Sequence, residues 1–220
     1  MSVEAPEQNM PCRLRGLIFD IDGVLLDSRS SNMEYYNLIR RALQLPPLTS
    51  EEEEYCQMAS AEQSLAYIIP PEYREEAKSV CKGIDYRKQI LPLLSVEPGL
   101  LEFLHWLKLH DVRLGIFTNR ANWVEELLRY FSLESFFFPI MTAGVCPPKP
   151  SPDGLLRILQ EWRLKPSETA FLGDSKVDEQ AAAGAGVPFW AYRNPLLTAE
   201  LHFCGFFNMI TRITPLVEGR

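Results

Sequence analysis

At 220 residues, with 46% hydrophobic and 23% charged side chains, the chain can bury a sizeable core as one domain plus a modest insertion. Its formal net charge of −7 argues against nucleic acid or an anionic membrane as the main partner, and no apolar run reaches the ~18–20 residues that cross a bilayer. Five cysteines, at 12, 56, 81, 146 and 204, show no CxxC spacing and leave one unpaired, which points to a reducing, cytoplasmic setting.

Residues 1–13 lack the apolar core of a secretory signal and read as a flexible tail. Leu14–Phe19 is a nearly continuous apolar run, as expected of a strand covered on both faces in a parallel sheet. The run ends in Asp20, Ile21, Asp22 and Gly23, so two carboxylates on alternate positions point the same way. Burying one ionised carboxylate without a partner is costly, and two side by side are worse. Such a strand end calls for a positive partner.

The next core strand comes only at Arg113–Phe117, about 90 residues later, whereas a βαβ unit needs roughly 30. The surplus has no convincing strand but shows helical stretches at about 30–44, 50–68 and 72–90. Residues 28–96 therefore read as a small helical cap inserted in a core made of 14–27 and 97–220. Lysines and arginines minus acids over 28–96 give 8 − 10 = −2, so no strongly basic face is expected there. Within it, Glu51–Glu54 reads as the acidic first turn of a helix.

Beyond the insertion, Leu100–His110 supplies a crossover helix. The runs Arg113–Phe117, Pro139–Thr142, Thr169–Leu172 and Pro188–Tyr192 read as further buried strands. Between them, Asn122 and Glu125 suggest a capping box ahead of Trp123–Phe131. Ser151 and Pro152 suggest a cap and a first-turn proline ahead of Leu155–Trp162. This alternation predicts an α/β fold: a doubly wound, parallel-sheet, Rossmann-like core with a helical cap inserted after the first strand.

Ligands of open α/β sheets bind outside the carboxyl ends of the strands. The expected strand ends deliver Asp20 and Asp22, Thr118 and Asn119, and Asp174 with Asp178 four residues on; Lys149 lies in PPKPSP before another helix. Such a carboxylate cluster is tolerable with a cation in it, and hard oxygen ligands with room for water suit Mg²⁺. The ammonium and nearby helix N-termini suit a phosphoryl group.

The segments DIDGV (20–24), FTN (117–119), Lys149 in PPKPSPDG, and GDSKVD (173–178) resemble, in order and placement, the four motifs of the haloacid dehalogenase superfamily. An insertion between the first and second motifs is similar to the helical-cap, phosphoglycolate phosphatase-like subgroup. The resemblance implies Asp20 as nucleophile and Asp22 as general acid/base. It implies Thr118 and Lys149 on phosphoryl oxygens, with the Asn119 backbone N–H as a further contact. Asp174, Asp20 and the Asp22 carbonyl would hold Mg²⁺, and Asp178 would support the metal site. A part-buried Asp22 among other charges can have the raised pKa that an acid requires.

The expected enzyme is thus a phosphoric monoester hydrolase, with a small phosphorylated metabolite as partner and the cap as a closing lid. A monomer or weak dimer is expected. Asp22 argues against a dehalogenase, since halide needs no protonation. A sugar-phosphate mutase would carry a histidine shortly after the first motif, and 28–96 holds none. For a phosphonate hydrolase, Lys78, Lys82 and Lys88 are available in the cap, with nothing to mark one as desolvated. A non-catalytic phosphate-binding protein would not need every charged motif. His105, His110 and His202 read as structural, and Phe136–Phe138 and 202–207 as packing.

Overall fold

The computed structural model describes residues 13–59 and 61–219, so all of the expected tail but Arg13 lies outside the described residues. Proximity of Cα atoms divides the chain into two compact units, one built from the chain up to Leu26 and from Val96 onward, the other from Asp27–Ser95.

In chain order the strands are β1 (Gly16–Phe19), β2 (Leu26–Asp27), β3 (Ser95–Val96), β4 (Arg113–Thr118), β5 (Ile140–Thr142), β6 (Thr169–Gly173), β7 (Phe189–Tyr192) and β8 (Leu201–Phe203). The α-helices are α1 (Arg29–Ala42), α2 (Ser50–Met58), α3 (Ala61–Ile68), α4 (Arg74–Gly83), α5 (Tyr86–Gln89), α6 (Leu100–Leu109), α7 (Val124–Tyr130), α8 (Asp153–Trp162), α9 (Lys176–Ala185) and α10 (Met209–Glu218). Six strands form one sheet in the order β5-β4-β1-β6-β7-β8, every neighbouring pair parallel. The short β2 and β3 pair with each other where the chain leaves the first unit and returns to it. None of the helices is long and apolar enough to cross a membrane among the described residues.

The order matters for function. From β1 the chain builds outward on one side through β4 and β5, then on the other through β6, β7 and β8. The strand order reverses at β1, which makes its carboxyl end a topological switch point. Register brings three strand ends level: Phe19 pairs with Ile116 of β4 and with Leu172 of β6. Asp20 follows at once, its N–H donating to the Leu172 carbonyl at 3.0 Å.

Alternation along β1 divides its side chains between two packed faces. Ile18 joins Phe117, Phe171, Leu155, Ile158, Trp162, Ala181 and Ala182 in a buried cluster under α8 and α9. Phe19 meets Phe103 of α6 edge-on at 6.4 Å, and Phe103 in turn meets Phe206 at 5.4 Å. Both faces of the strand are thereby dry. Where the chain re-enters this unit, the buried Glu97 accepts from Tyr192 Oη at 3.0 Å and from Arg193 Nη1 at 2.8 Å.

The second unit folds around Met33, Tyr36, Ile39, Leu43, Cys56, Ile68, Ile69 and Ala77. Its helices are shorter than the sequence pattern suggests. The stretch expected at 50–68 breaks where Ala59 adopts an extended backbone (φ −95°, ψ 159°), and α4 ends at Gly83, after which Asp85 caps α5 by accepting from Lys88 N–H. Thr49 and Glu52 cap α2 reciprocally, at 2.7 and 3.2 Å.

Other expectations need correction. The helix expected at Trp123 starts at Val124 with Trp123 left-handed (φ 67°) and no side-chain cap, so Asn122 and Glu125 make no capping box. Side chains of Asn119 and Arg120 hold the preceding loop at the sheet edge, which delays the helix. Pro152 occupies the N-cap of α8 and not its first turn, and the Ser151 hydroxyl accepts from Asp153 N–H at 3.3 Å. After Tyr192 the sequence reading assigned no element. The structure has β8, too short to show alternation, and α10, whose internal Pro215 disguises its helical period.

Phe103 tests the second face. Phe103→Ala removes a fully buried ring and should cost about 3–5 kcal/mol in chemical denaturation. A loss below about 1 kcal/mol would show that this layer re-forms around the void.

Candidate active site

Asp20 sits at the end of β1 with only 6% of its surface exposed. Its Oδ1 accepts from Ile21 N–H at 2.7 Å and lies 2.8 Å from Lys149 Nζ. The same ammonium lies 2.6 Å from Asp178 Oδ1. Asp178 has no exposed surface, and its other oxygen accepts from the Ser175 N–H at 3.0 Å and from the Ser175 hydroxyl. The expected pair Ser175 and Asp178 thus does cap α9, while Asp178 also anchors the lysine.

Asp174 completes the group. Carboxylate oxygens of Asp20, Asp174 and Asp178 all come within 4.8 Å of one another. Two glycines permit this approach. A Cβ on Gly23, which adopts φ +73°, would fall 2.0 Å from Asp174 Oδ2, and one on Gly173 would fall 2.5 Å from Asp178 Cβ. The main chain at Asp174 is held from β7's side by Asn194, whose Nδ2 donates to the Asp174 carbonyl at 2.8 Å.

Thr118 is buried at the end of β4, its Oγ1 accepting from Arg120 N–H at 3.2 Å. The Asn119 side chain faces the lysine loop instead of the cluster. Its Nδ2 donates to the Lys149 carbonyl at 3.0 Å and its Oδ1 accepts from Lys149 N–H at 2.7 Å. This amide ring ties the loop carrying Lys149 to the strand carrying Thr118.

Asp22 lies apart from the three clustered carboxylates and is gripped by a residue that sequence reasoning missed. Arg120 Nε donates to Asp22 Oδ2 at 2.7 Å and Nη2 to Oδ1 at 2.6 Å. Proton affinity is raised at the clustered carboxylates Asp20 and Asp174. Burial pushes Asp20 up to about 7 against the opposing pull of Lys149, with Asp178 and Asp22 adding to the rise. Burial also lifts Asp174 well above the carboxylate range, helped by Asp178 and Asp20. Burial alone would lower Lys149, but the charges of Asp178 and Asp20 outweigh it and raise it.

The charges decide what fits. Asp20, Asp174 and Asp178 carry −3 when ionised and Lys149 returns +1, leaving −2 in a buried oxygen-lined site, while Arg120 balances Asp22. An oxygen-ligated divalent cation matches that residue of charge. His105, His110 and His202 bond to main-chain carbonyls of Leu101, Trp106 and Leu197, away from these carboxylates. A separate cavity of about 640 Å³, at the start of β4, is lined by Lys108, Arg113, Phe138 and Trp162 among others and shares no residue with the cluster.

The chain belongs to the haloacid dehalogenase-like hydrolases, the family whose model matches residues 17–192. It is 30% identical over 191 residues to a phosphoglycolate phosphatase of Pseudomonas putida, covering 82% of this chain and 70% of that one. A haloacid dehalogenase-like hydrolase domain-containing protein of Arabidopsis thaliana is 27% identical over 179 residues, with 79% and 68% covered. Among solved structures, a subfamily IA hydrolase of the same superfamily from Geobacter sulfurreducens is 36% identical, with a TM-score of 0.78 over 94% of this chain and 99% of that one. The fold expected from the sequence, a doubly wound α/β core with a helical insertion, is the fold observed.

A pH experiment probes the cluster. In the metal-free protein Asp20 keeps its proton up to about pH 7, whereas in the unfolded chain it loses it near 4. The native state therefore binds more protons between those values, and this group's contribution to stability falls as pH rises from about 4 to 7. Asp20→Asn should raise the melting temperature in EDTA more at pH 8 than at pH 4. An equal shift at both values would contradict the buried-carboxylate picture.

Proposed function

We propose that this haloacid dehalogenase-like hydrolase is a Mg²⁺-dependent phosphatase that cleaves small phosphomonoesters through an aspartyl-phosphate on Asp20. The observation that carries the reading is the buried Asp20 carboxylate at the switch-point strand end, 2.8 Å from a buried ammonium and grouped with Asp174 and Asp178. A phosphatase in the curated relatives, and the hydrolase family itself, support the same class.

Asp20, Asp174 and the Asp22 carbonyl would hold the ion, whose positive charge offsets repulsion between an anionic nucleophile and an anionic phosphoryl group. Asp178, with both oxygens engaged by Lys149 and Ser175, supports the site from behind. An Asp20 oxygen attacks phosphorus, the bond from phosphorus to the ester oxygen breaks, and Asp22 protonates the departing oxygen. Water, giving a proton to Asp22, then attacks the phosphorus and releases phosphate with Asp20 restored. Lys149 and Thr118 bind phosphoryl oxygens in this reading, with the Asn119 N–H beside them.

Depth favours slender substrates, because a phosphoryl group must reach an almost fully buried oxygen. The separate unit at 27–95 is read as the family's helical cap. The free thiols of Cys56, Cys81, Cys146 and Cys204 agree with a cytoplasmic setting.

Hydrolysis of p-nitrophenyl phosphate and a panel of phosphorylated metabolites tests the reading. Turnover should require Mg²⁺ and stop with EDTA. Asp20→Asn should retain less than a few per cent of activity while melting as a folded protein. More activity than that in a homogeneous preparation would remove Asp20 as nucleophile.

Asp22→Asn should lower turnover by about 10²–10⁴, and less for p-nitrophenyl phosphate than for alkyl phosphates, whose leaving oxygen needs the proton more. Equal losses on aryl and alkyl esters would contradict the acid role. Small phosphometabolites should also exceed folded phosphoproteins in kcat/KM; a tenfold preference for the protein substrate would contradict a site this deep.

A further inference from the structure

We propose that Asn194 is a positioning residue for Asp174, aimed at its main chain by a left-handed kink at Arg193, and that it strengthens Mg²⁺ binding. The inference rests on the Mg²⁺ site of the phosphatase reading and adds a residue to it.

Asp20 and Asp178 share the Lys149 ammonium, at 2.8 and 2.6 Å, and each also accepts from a main-chain N–H. Asp174 is anchored through its main chain instead, by the Asn194 amide. The like charges of Asp178 and Asp20 act on the Asp174 carboxylate, and repulsion of that kind favours any tilt of the chain that swings it away. A fixed peptide resists the tilt. Groups that hold a metal-binding residue in place in this way tune affinity without touching the ion.

The donor comes from where the sheet stops. β6 and β7 pair as far as Gly173 with Ala191. Two residues on, Arg193 still donates its N–H to the Phe203 carbonyl at 2.7 Å, but its backbone turns left-handed, with φ 51°. Just past this kink, Asn194 Nδ2 reaches the Asp174 carbonyl at 2.8 Å, a side-chain amide acting beyond the last paired residues. The other end of that amide settles its orientation: Oδ1 accepts from Leu196 N–H at 3.2 Å, which leaves the NH₂ for Asp174. Pro195, next in the chain, narrows the backbone range of Asn194.

A left-handed backbone is unfavourable for any residue with a Cβ, and it persists where the surroundings hold it. Here they do. Arg193 Nη1 meets Glu97 Oε1 at 2.8 Å, and Nε donates to the Cys204 carbonyl at 3.3 Å. Glu97 is itself buried, accepts from Tyr192 Oη at 3.0 Å, and donates its N–H to the Leu25 carbonyl at 3.0 Å. A strained turn clamped from several elements, one residue before a contact to the carboxylate cluster, is a device for aiming that contact.

The test follows Mg²⁺ binding without substrate, by calorimetry and by thermal melting in EDTA and across a Mg²⁺ titration. Wild type is compared with Asn194→Ala, with Asn194→Leu, which keeps the volume but not the donor, and with Asp174→Asn as control. Both Asn194 variants should weaken Mg²⁺ by about tenfold or more, and p-nitrophenyl phosphate turnover should need correspondingly more Mg²⁺ for half its maximum. Arg193→Met keeps the stem and frees the kink. With 48% of the Arg193 side chain exposed it opens no buried void, and it should weaken Mg²⁺ by at least about threefold.

A lower melting temperature in EDTA with Mg²⁺ affinity within about twofold of wild type would overturn the proposal and mark Asn194 as a loop staple. Affinity restored in Asn194→Leu would do the same, since packing would then suffice. If neither Asn194 variant folds, an unchanged Mg²⁺ affinity in Arg193→Met decides against it. Wild-type binding that survives Asp174→Asn would overturn both the proposal and the Mg²⁺ site beneath it. Binding that needs Asp174 and Asn194, with no ester hydrolysed, would support the positioning role and remove the phosphatase reading.

Discussion

Everything at the strand ends is arranged around one ammonium. Lys149 Nζ lies between Asp20 and Asp178, at 2.8 and 2.6 Å, and all three groups are buried. Taking an ion out of water costs several kcal/mol even after relaxation, so a buried charge persists when its partners are close and its remaining valences are filled. Here they are. Asp178 is filled by Ser175 and Asp20 by Ile21 N–H. The lysine's main chain is held by the Asn119 amide on both sides.

The triad explains why elements distant in sequence must meet. Asp20 is delivered by β1, Asn119 follows β4, Asp178 lies in the first turn of α9, and Lys149 precedes α8. None of these elements could be displaced without exposing or unpairing a buried charge. The hydrophobic layers on the two faces of β1 supply the stiffness that such positioning requires, because close-packed side chains resist sliding. Packing and electrostatics therefore act on the same strand from its sides and from its end.

The two aspartates of the first motif have different surroundings. Asp20 is buried, pushed up to about 7, and faces an ammonium; Asp22 is partly open and faces a guanidinium. An ammonium is a point charge that a phosphoryl oxygen can share, whereas a guanidinium fork holds two oxygens in a plane. The site thus sets a buried ammonium beside one aspartate and a guanidinium beside the other.

The sequence by itself determined the strand cores and the strand ends. Buried parallel strands are written as continuous apolar runs, and the carboxylates that interrupt those runs at 20, 22 and 174 stand out against them. Helix ends were less legible. Asn122 and Glu125 have the spacing of a capping box, yet the loop before them answers to Asn119 and Arg120 and starts the helix elsewhere. Only the tertiary structure decided that Arg120 grips Asp22 across 98 positions, that Asn194 holds the Asp174 carbonyl, and that Asn119 serves the lysine loop. Apolar periodicity is a local property, repeated along one element and readable from it. A single polar contact between distant loops has no period, and its partner exists only once the sheet has set the strands side by side.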